Sequence, residues 1–362
     1  MCKQNFANSL VMTGGGTGGH YFPAIAIAEG ARCKWNGQPI MFVGSKRGIE
    51  SRLLEKSDWQ YLLLDIEGFV GRSIIKIIKS SWKLAIACYQ LRMIWKSSRP
   101  MAVIGTGGYG SAPALLAARS LGIPFFLHES NAKPGLLVKY LAPYASGVWC
   151  GMEAVKVHLT GARSILTGTP VRSAFLRNFI PLQLVSLKSK FRLLVLGGSG
   201  GASVINRAML DISSALLGRF PNLWIMQQVG EKEFNNLSLH VTDKRHSIVP
   251  FICNMDTEME AAALVITRSG ASTCAELMAC GRPSIMIPMP NSAGNHQVTN
   301  AQAMVDDGRT VMIRQNDNLN NDLLDKVSAF VMNPVLLFDM NIHAAANKAV
   351  TVCLDDVQNV LG

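Results

Sequence analysis

Acidic residues are scarce in this 362-residue chain. Asp and Glu number 24 against 35 Lys and Arg, a formal net charge of +11 with a pI near 9.4. An excess of that size points to an anionic partner: nucleic acid, an acidic membrane surface or a phosphorylated ligand. No nucleic-acid-binding motif and no dense Lys/Arg run is present, so no nucleic-acid partner is expected. Charged residues of either sign make up only 16% against 49% hydrophobic, which excludes a disordered chain. None of the eight cysteines has a CxxC neighbour. In a chain too large to need staples they read as reduced, mostly buried residues of a cytosolic protein. No charged-then-apolar leader with a cleavage site opens the sequence, so no signal peptide is expected. No uncharged apolar run nears the roughly 18 residues of a membrane span. Also missing is an Asp-x-Asp motif to hold a nucleotide-bound metal. No metal ligand and no cofactor is therefore assigned, and assistance by a free divalent ion such as Mg²⁺ stays open.

What the chain has in quantity is strand–loop–helix units, and the stretch Leu264 to Gly281, LVITRSGASTCAELMACG, shows their logic. A short branched apolar run suits a buried parallel strand. Arg268 to Ser272 form a small-residue loop, and a helical pattern runs from Thr273 to a stop at Gly281. Such a unit aims backbone N–H groups and a positive dipole end at one point, a natural phosphate site. Glu276, three residues after Thr273, has two readings: a capping box, or a carboxylate that accepts hydrogen bonds from a sugar diol.

The same alternation runs through the whole sequence. Six strand candidates in the first half (9–13, 40–44, 61–66, 102–105, 124–128, 147–150) are matched by six in the second (192–196, 223–229, 247–252, 264–267, 284–288, 310–313). Strand–helix alternation predicts parallel sheets covered on both faces. One sheet of twelve strands would be unusually large. The expectation is an α/β protein of two doubly wound, Rossmann-like domains, residues 1–173 and 174–341, joined near Thr169–Ala174. A last helical stretch, about 342–362, is expected to pack back across the first domain.

Three further glycine-rich segments follow strands. Gly14, Gly16 and Gly19 in TGGGTGGH (13–20) satisfy GxGxxG, with a helix expected from Phe22, so a dinucleotide site is one reading. That reading expects an acid at the end of the second strand, where Gly44-Ser45-Lys46-Arg47 offers none; NADP stays possible. The loop could instead receive a bulky diphosphate and place His20 beside it. GGSGG (197–201) also matches the GxSxG nucleophile elbow, for which Asp256 and His296 could be drafted, yet an elbow gives no reason for the other loops. GTGGYGS (105–111) completes the set. Loops at the carboxyl ends of strands are where open α/β sheets bind ligands. The segment Ile74 to Lys96 interleaves Ile74, Ile75, Ile77, Ile78, Trp82, Ile86, Tyr89, Met93 and Trp95 with Lys76, Lys79, Lys83, Arg92 and Lys96. It suits a membrane-surface helix, or equally a core helix with its lysines in water.

Seven segments, in order over nearly the whole chain, carry a resemblance: GGGTGGH (14–20), GTGGYGSAP (105–113), HESNAKPGL (128–136), GTPVR (168–172), GGSGGASVIN (197–206), RSGASTCAE (268–276) and NHQVTNA (295–301). The sequence resembles the MurG family, bacterial transferases that add N-acetylglucosamine to lipid I and so make lipid II for peptidoglycan. The resemblance implies a GT-B fold, two Rossmann-like domains facing a central cleft, and UDP-GlcNAc held mostly by the second domain. It implies that Thr17, Gly18, Gly19 and Asn131 reach the donor from the first domain. Arg172, Ser199, Ile252, Ala271, Ser272, Thr273, Cys274, Ala275, Glu276, His296 and Gln297 complete that site, with Glu276 on the ribose. The acceptor side would be the first domain, with Tyr109 and His128 as candidates. His20, or second Glu129, would be the catalytic base in a single inverting displacement by the acceptor's C4 hydroxyl. Lipid I and anionic membrane lipids become the expected partners, at the cytoplasmic face of the inner membrane. The family pattern differs at Thr169, Ser130 and Gly200, where Asn, Gln and Gln are usual, and at His296, often Gln. Other GT-B glycolipid transferases and sugar-nucleotide 2-epimerases share the GGSGG and RSGAST segments. An NADP-dependent oxidoreductase is the alternative from a different class.

Overall fold

The apolar runs form short strands that are buried on both faces, as LVMT at 10–13 and LVIT at 264–267 show, so parallel pairing under helical cover follows. The computed structural model describes residues 5–68, 74–198, 200–290, 292, 295–340 and 343–362, without the side chains of 74–76. Ser199 therefore lies outside the described residues, as do the side chains of Ile74, Ile75 and Lys76. The chain divides into two compact units, Met1–Ser173 with Asn347–Gly362, and Ala174–Ala346.

The first unit contains β1 (Leu10–Thr13), α1 (Gly18–Lys34), β2 (Ile40–Ser45), α2 (Ile49–Leu54), β3 (Gln60–Leu64), α3 (Ile74–Ser97), β4 (Ala102–Gly105), α4 (Ala112–Leu121), β5 (Phe125–Glu129), α5 (Leu136–Leu141), β6 (Gly147–Cys150) and β7 (Ser164–Leu166). Its seven strands lie in the order β3-β2-β1-β4-β5-β6-β7, with every pairing parallel. Sequence periodicity finds six of these strands. It misses β7, whose three residues at the sheet edge are only partly buried and leave no period to detect. Helix α1 begins at Gly18 rather than near Phe22, which puts His20 in its first turn and Pro23 inside it.

The second unit contains α6 (Leu184–Ser189), β8 (Phe191–Leu196), α7 (Ser203–Arg219), β9 (Leu223–Gln228), α8 (Glu231–Leu237), β10 (His246–Val249), α9 (Met255–Ala261), β11 (Leu264–Thr267), α10 (Ala271–Cys280), β12 (Ser284–Met286), α11 (His296–Asp306), β13 (Thr310–Met312) and α12 (Leu319–Met332). Its sheet order is β10-β9-β8-β11-β12-β13, again with parallel pairs throughout. Each unit packs its own apolar core, one around Val11, Trp95 and Leu127, the other around Phe191, Leu264 and Phe330.

The last helix, α13 (Ala349–Leu361), returns to the first unit. It is shorter than the stretch expected from about 342, because residues 343–348 are not helical. A Cβ on Gly30 of α1 would stand 2.2 Å from Val350, so the two helices meet at a glycine. Asp356, buried, accepts the Trp149 Nε1–H at 2.8 Å and pairs with Arg163. These bonds tie α13 to β6 and to the residue that precedes β7.

In both sheets the strand order reverses beside the first strand of the unit. The loops after β1 and β4 flank that point in the first unit, and those after β8 and β11 flank it in the second. All four glycine-rich loops thus sit at switch points, where doubly wound sheets bind ligands.

Candidate active site

In the first unit the two switch-point loops lock together through backbone contacts. The Thr106 N–H donates to Thr13 O at 2.9 Å, and the Thr106 hydroxyl donates to His20 O at 2.6 Å. Gly108 has φ +76°, and a Cβ there would stand 2.0 Å from Gly15 O, so no other residue fits without displacing the loop. His20 Nδ1 lies 3.0 Å from Thr106 O. A carbonyl only accepts, so Nδ1 carries the proton and Nε2 keeps its lone pair. The ring is half-buried, and Nε2 is the nitrogen left to take a proton. Thr17 and Gly19 are exposed beside it, Gly18 is buried, and the Tyr109 ring covers Gly16.

Two other acceptor-side candidates are committed to the fold. His128 is fully buried; its Nε2–H donates to Gly168 O at 3.1 Å, and Nδ1 accepts from the Ser130 hydroxyl at 3.3 Å. Burial pulls its pKa from 6.5 down to about 4, so it stays neutral with both nitrogens occupied. A direct acceptor contact by His128 is thereby corrected: the side chain does not reach the surface. Glu129, also buried, accepts the Asn131 N–H and Nδ2–H at 3.0 Å each and the Gly135 N–H at 2.9 Å. The carboxylate shapes the 130–135 loop, and Asn131 is oriented by it. Arg172 stacks on Phe22 at 4.3 Å.

In the second unit α7 and α10 start at the switch point with Ala202 and Gly270 as N-caps, residues that have no side-chain oxygen to offer. Their first N–H groups find no acceptor within the helix itself. Gly201 has φ +80°, and a Cβ would stand 2.1 Å from Val229 O. Because α10 begins at Ala271, Thr273 lies in its first turn and is not the N-cap; the capping-box reading of Thr273 and Glu276 is overturned. Along the expected run Ala271, Thr273 and Ala275 are half-buried, whereas Ser272, Cys274 and Glu276 are buried. Burial pushes the Cys274 thiol up to about 12, so its side chain serves packing, not chemistry.

Neighbouring elements hold this loop. Arg268 donates to Ile287 O at 2.9 Å and Gln315 Oε1 at 2.9 Å, and the Ser269 hydroxyl donates to Gln297 O at 2.7 Å. Gln297 Oε1 accepts the Met289 N–H at 2.9 Å, and half-buried His296 opens α11 beside it. Two supports escape sequence reasoning. Gln228 donates to Gly198 O at 2.9 Å and accepts the Ile252 N–H at 2.8 Å, joining the glycine loop to the residue expected beside the donor. Asn300 donates to Ser269 O at 3.0 Å. The signal for Gln228 was there: two polar residues, Gln227 and Gln228, end an otherwise apolar strand. Glu50 in the first unit also escaped notice, since it lies past the end of β2 where an acid was sought.

Two all-parallel doubly wound sheets, each with paired glycine loops at its switch point, define the GT-B class of glycosyltransferase. Residues 10–150 match the glycosyltransferase family 28 N-terminal domain, and residues 192–353 the family 28 C-terminal domain. The chain belongs to glycosyltransferase family 28, so the oxidoreductase and hydrolase alternatives fall. It is 38% identical over 339 residues, 93% of this chain and 94% of the relative, to the UDP-N-acetylglucosamine–N-acetylmuramyl-(pentapeptide) pyrophosphoryl-undecaprenol N-acetylglucosamine transferase of Citrifermentans bemidjiense. The crystal structure of Acinetobacter baumannii MurG superposes with a TM-score of 0.70 at 26% identity, covering 98% of this chain and 99% of that one. A putative UDP-N-acetylglucosamine 2-epimerase from Listeria monocytogenes shares the fold alone, with a TM-score of 0.68 at 13% identity over 98% and 96% of the two chains.

Proposed function

We propose that this enzyme transfers N-acetylglucosamine from UDP-GlcNAc to the C4 hydroxyl of the N-acetylmuramic acid of lipid I, an undecaprenyl-diphosphate glycolipid, and so makes lipid II. The observation that carries this reading is the pair of helices α7 and α10, which open at one switch point on N-cap residues, Ala202 and Gly270, that carry no capping oxygen, with buried Glu276 one turn further on. N–H groups and dipole ends converging there suit the UDP diphosphate and the charge it gains on leaving. Glu276 accepts hydrogen bonds from the ribose diol. Relatives at 32–38% identity bear the name of this activity.

The C4 hydroxyl attacks the anomeric carbon as the bond to UDP breaks, inverting the centre, and its proton passes to His20 Nε2. The Nδ1–H bond to Thr106 O orients the ring and supports the imidazolium. Glu129, already holding three N–H groups, serves the loop and leaves the base role to His20. No cofactor enters this reading, since helix ends meet the developing charge. The enzyme binds the cytoplasmic face of the membrane peripherally through α3; no helix among the described residues is long and apolar enough to cross one.

Thermal shifts with UDP, UDP-GlcNAc and NADPH test the donor assignment. Stabilisation grows as RT ln(1 + [L]/Kd), so the first two raise the midpoint at modest concentration and NADPH does not. A shift with NADPH alone would sink the reading.

A further inference from the structure

Behind the first glycine loop sits a carboxyl group that the chemistry above does not use. Glu50, second residue of α2, is 1% exposed. Its Oε2 accepts the Gly16 N–H at 2.8 Å and its Oε1 the Ser45 N–H at 3.0 Å. Glycines from three segments close around it. A Cβ on Gly15 or Gly48 would stand 2.3 or 2.0 Å from the carboxyl group, and one on Gly110 would stand 3.0 Å from Oε1. The socket therefore fits a carboxyl group and little else. A buried charge is tolerated only when hydrogen-bonded, and bonds from N–H groups to a carboxylate are shorter and stronger than neutral ones. One end of the contact is the loop that runs into His20; another is the 105–110 loop, whose Thr106 carbonyl sets the His20 tautomer.

We propose that Glu50 is a positioning residue for the transfer: by fixing Gly16 against Ser45 and Gly110 it sets where His20 Nε2 stands. The inference rests on His20 as the base. Glu50 touches neither substrate, and its effect passes through the backbone of the glycine loop. A displacement of about 1 Å at a reacting group costs up to roughly 10²-fold in rate. Loss of Glu50 thus lowers kcat far more than it weakens binding of UDP, which the second unit is expected to hold for the most part.

The test uses the full chain with two independent variants. E50Q keeps the shape but turns an NH₂ group toward one of the two N–H donors. G48A keeps the charge and pushes the carboxyl off Gly16; Gly48 has φ −88° and ψ 175°, which alanine adopts without strain. Both should lose about 10- to 100-fold in kcat with UDP affinity by calorimetry nearly unchanged. The Gly16 and Ser45 amide protons, strongly deshielded in the parent, should move upfield in E50Q. Turnover near the parent's in the folded variants would overturn the proposal, as would parallel loss of UDP affinity, the mark of general unfolding. If E50Q does not fold, G48A decides. Failure of the functional reading looks different: the parent itself would transfer nothing to the acceptor.

Discussion

His20 is held at two points by Thr106, a backbone carbonyl on Nδ1 and a hydroxyl on its own carbonyl, and only the first is lost on truncation. His20→Ala should therefore keep the loop and lower kcat by about 10²–10⁴, with UDP affinity unchanged. Near-normal turnover would remove His20 from the base role. On the donor side, Glu276→Ala should weaken UDP-GlcNAc binding by about ten- to a hundredfold, the worth of a charge-assisted hydrogen bond. Calorimetry showing unchanged affinity in a folded variant would leave Glu276 with a packing role. His128 makes a stability prediction. Its folded pKa, about 4, lies below the unfolded 6.5, so the unfolded chain binds more protons between those values. The stabilisation is complete above pH 6.5 and is lost as pH falls toward 4, on the order of 2 kcal/mol between pH 7 and 5. Urea midpoints at those two pH values should separate more in the parent than in His128→Gln; equal separations would mean His128 is not held neutral. These residues were legible because glycine loops announce themselves in sequence. Glu50 was not, since it acts on a loop some 30 residues away and nothing local marks the contact; Gln228 left only the polar end of its strand as a sign, with its loop partner equally distant.

At the scale of elements, α3 is the informative case because it has two apolar faces. Ala87, Leu91 and Trp95 face the core, Trp95 edge-on to Phe6 at 5.9 Å between ring centres. Ile78, Trp82, Ile86, Tyr89 and Met93 recur at spacings of three and four on an outward stripe, with Trp82 at 70% and Tyr89 at 64% exposure. The sequence alone could not divide these sets, and Trp95, one of the residues that suited a membrane-surface helix, belongs to the core face. Lys83, one of the five interleaved cations, is taken up by the fold: it bonds Glu67 at 2.7 Å and Asp65 at 3.0 Å. An outward stripe of that size on a basic protein fits an anionic bilayer surface. Replacing Trp82 and Tyr89 by Ser should lower co-sedimentation with anionic vesicles while transfer to a soluble, short-tailed acceptor stays nearly intact. Lys79→Glu should weaken the preference for anionic lipid, an effect that salt reduces in the parent. Equal loss of both activities would make the stripe part of the fold. Lys83→Glu is unsuited to this question, since it places a third carboxylate beside two others.

For the whole molecule, the proposed reaction divides the labour between two sheets of one design: the second unit would offer helix ends to a diphosphate, the first a histidine held in one tautomer. Alternation of strands and helices made the doubling legible, and the partition at Ser173 and Ala174 falls within the Thr169–Ala174 stretch expected as the join. The return of α13 to the first unit rests on long-range contacts, Asp356 to Trp149 and Val350 to Gly30, which have no local period. An excess of +11 suits a chain whose proposed donor, acceptor and docking surface are all anionic. The proposed activity is transfer of N-acetylglucosamine to a lipid-linked muramyl sugar. Its most direct test is incubation with radiolabelled UDP-GlcNAc and a short-chain lipid I analogue, followed by separation and mass analysis of the product. The expected result is label in a β-1,4-linked disaccharide on the lipid diphosphate, with UDP released in equal amount. Release of UDP or free N-acetylglucosamine with no labelled lipid product would contradict it.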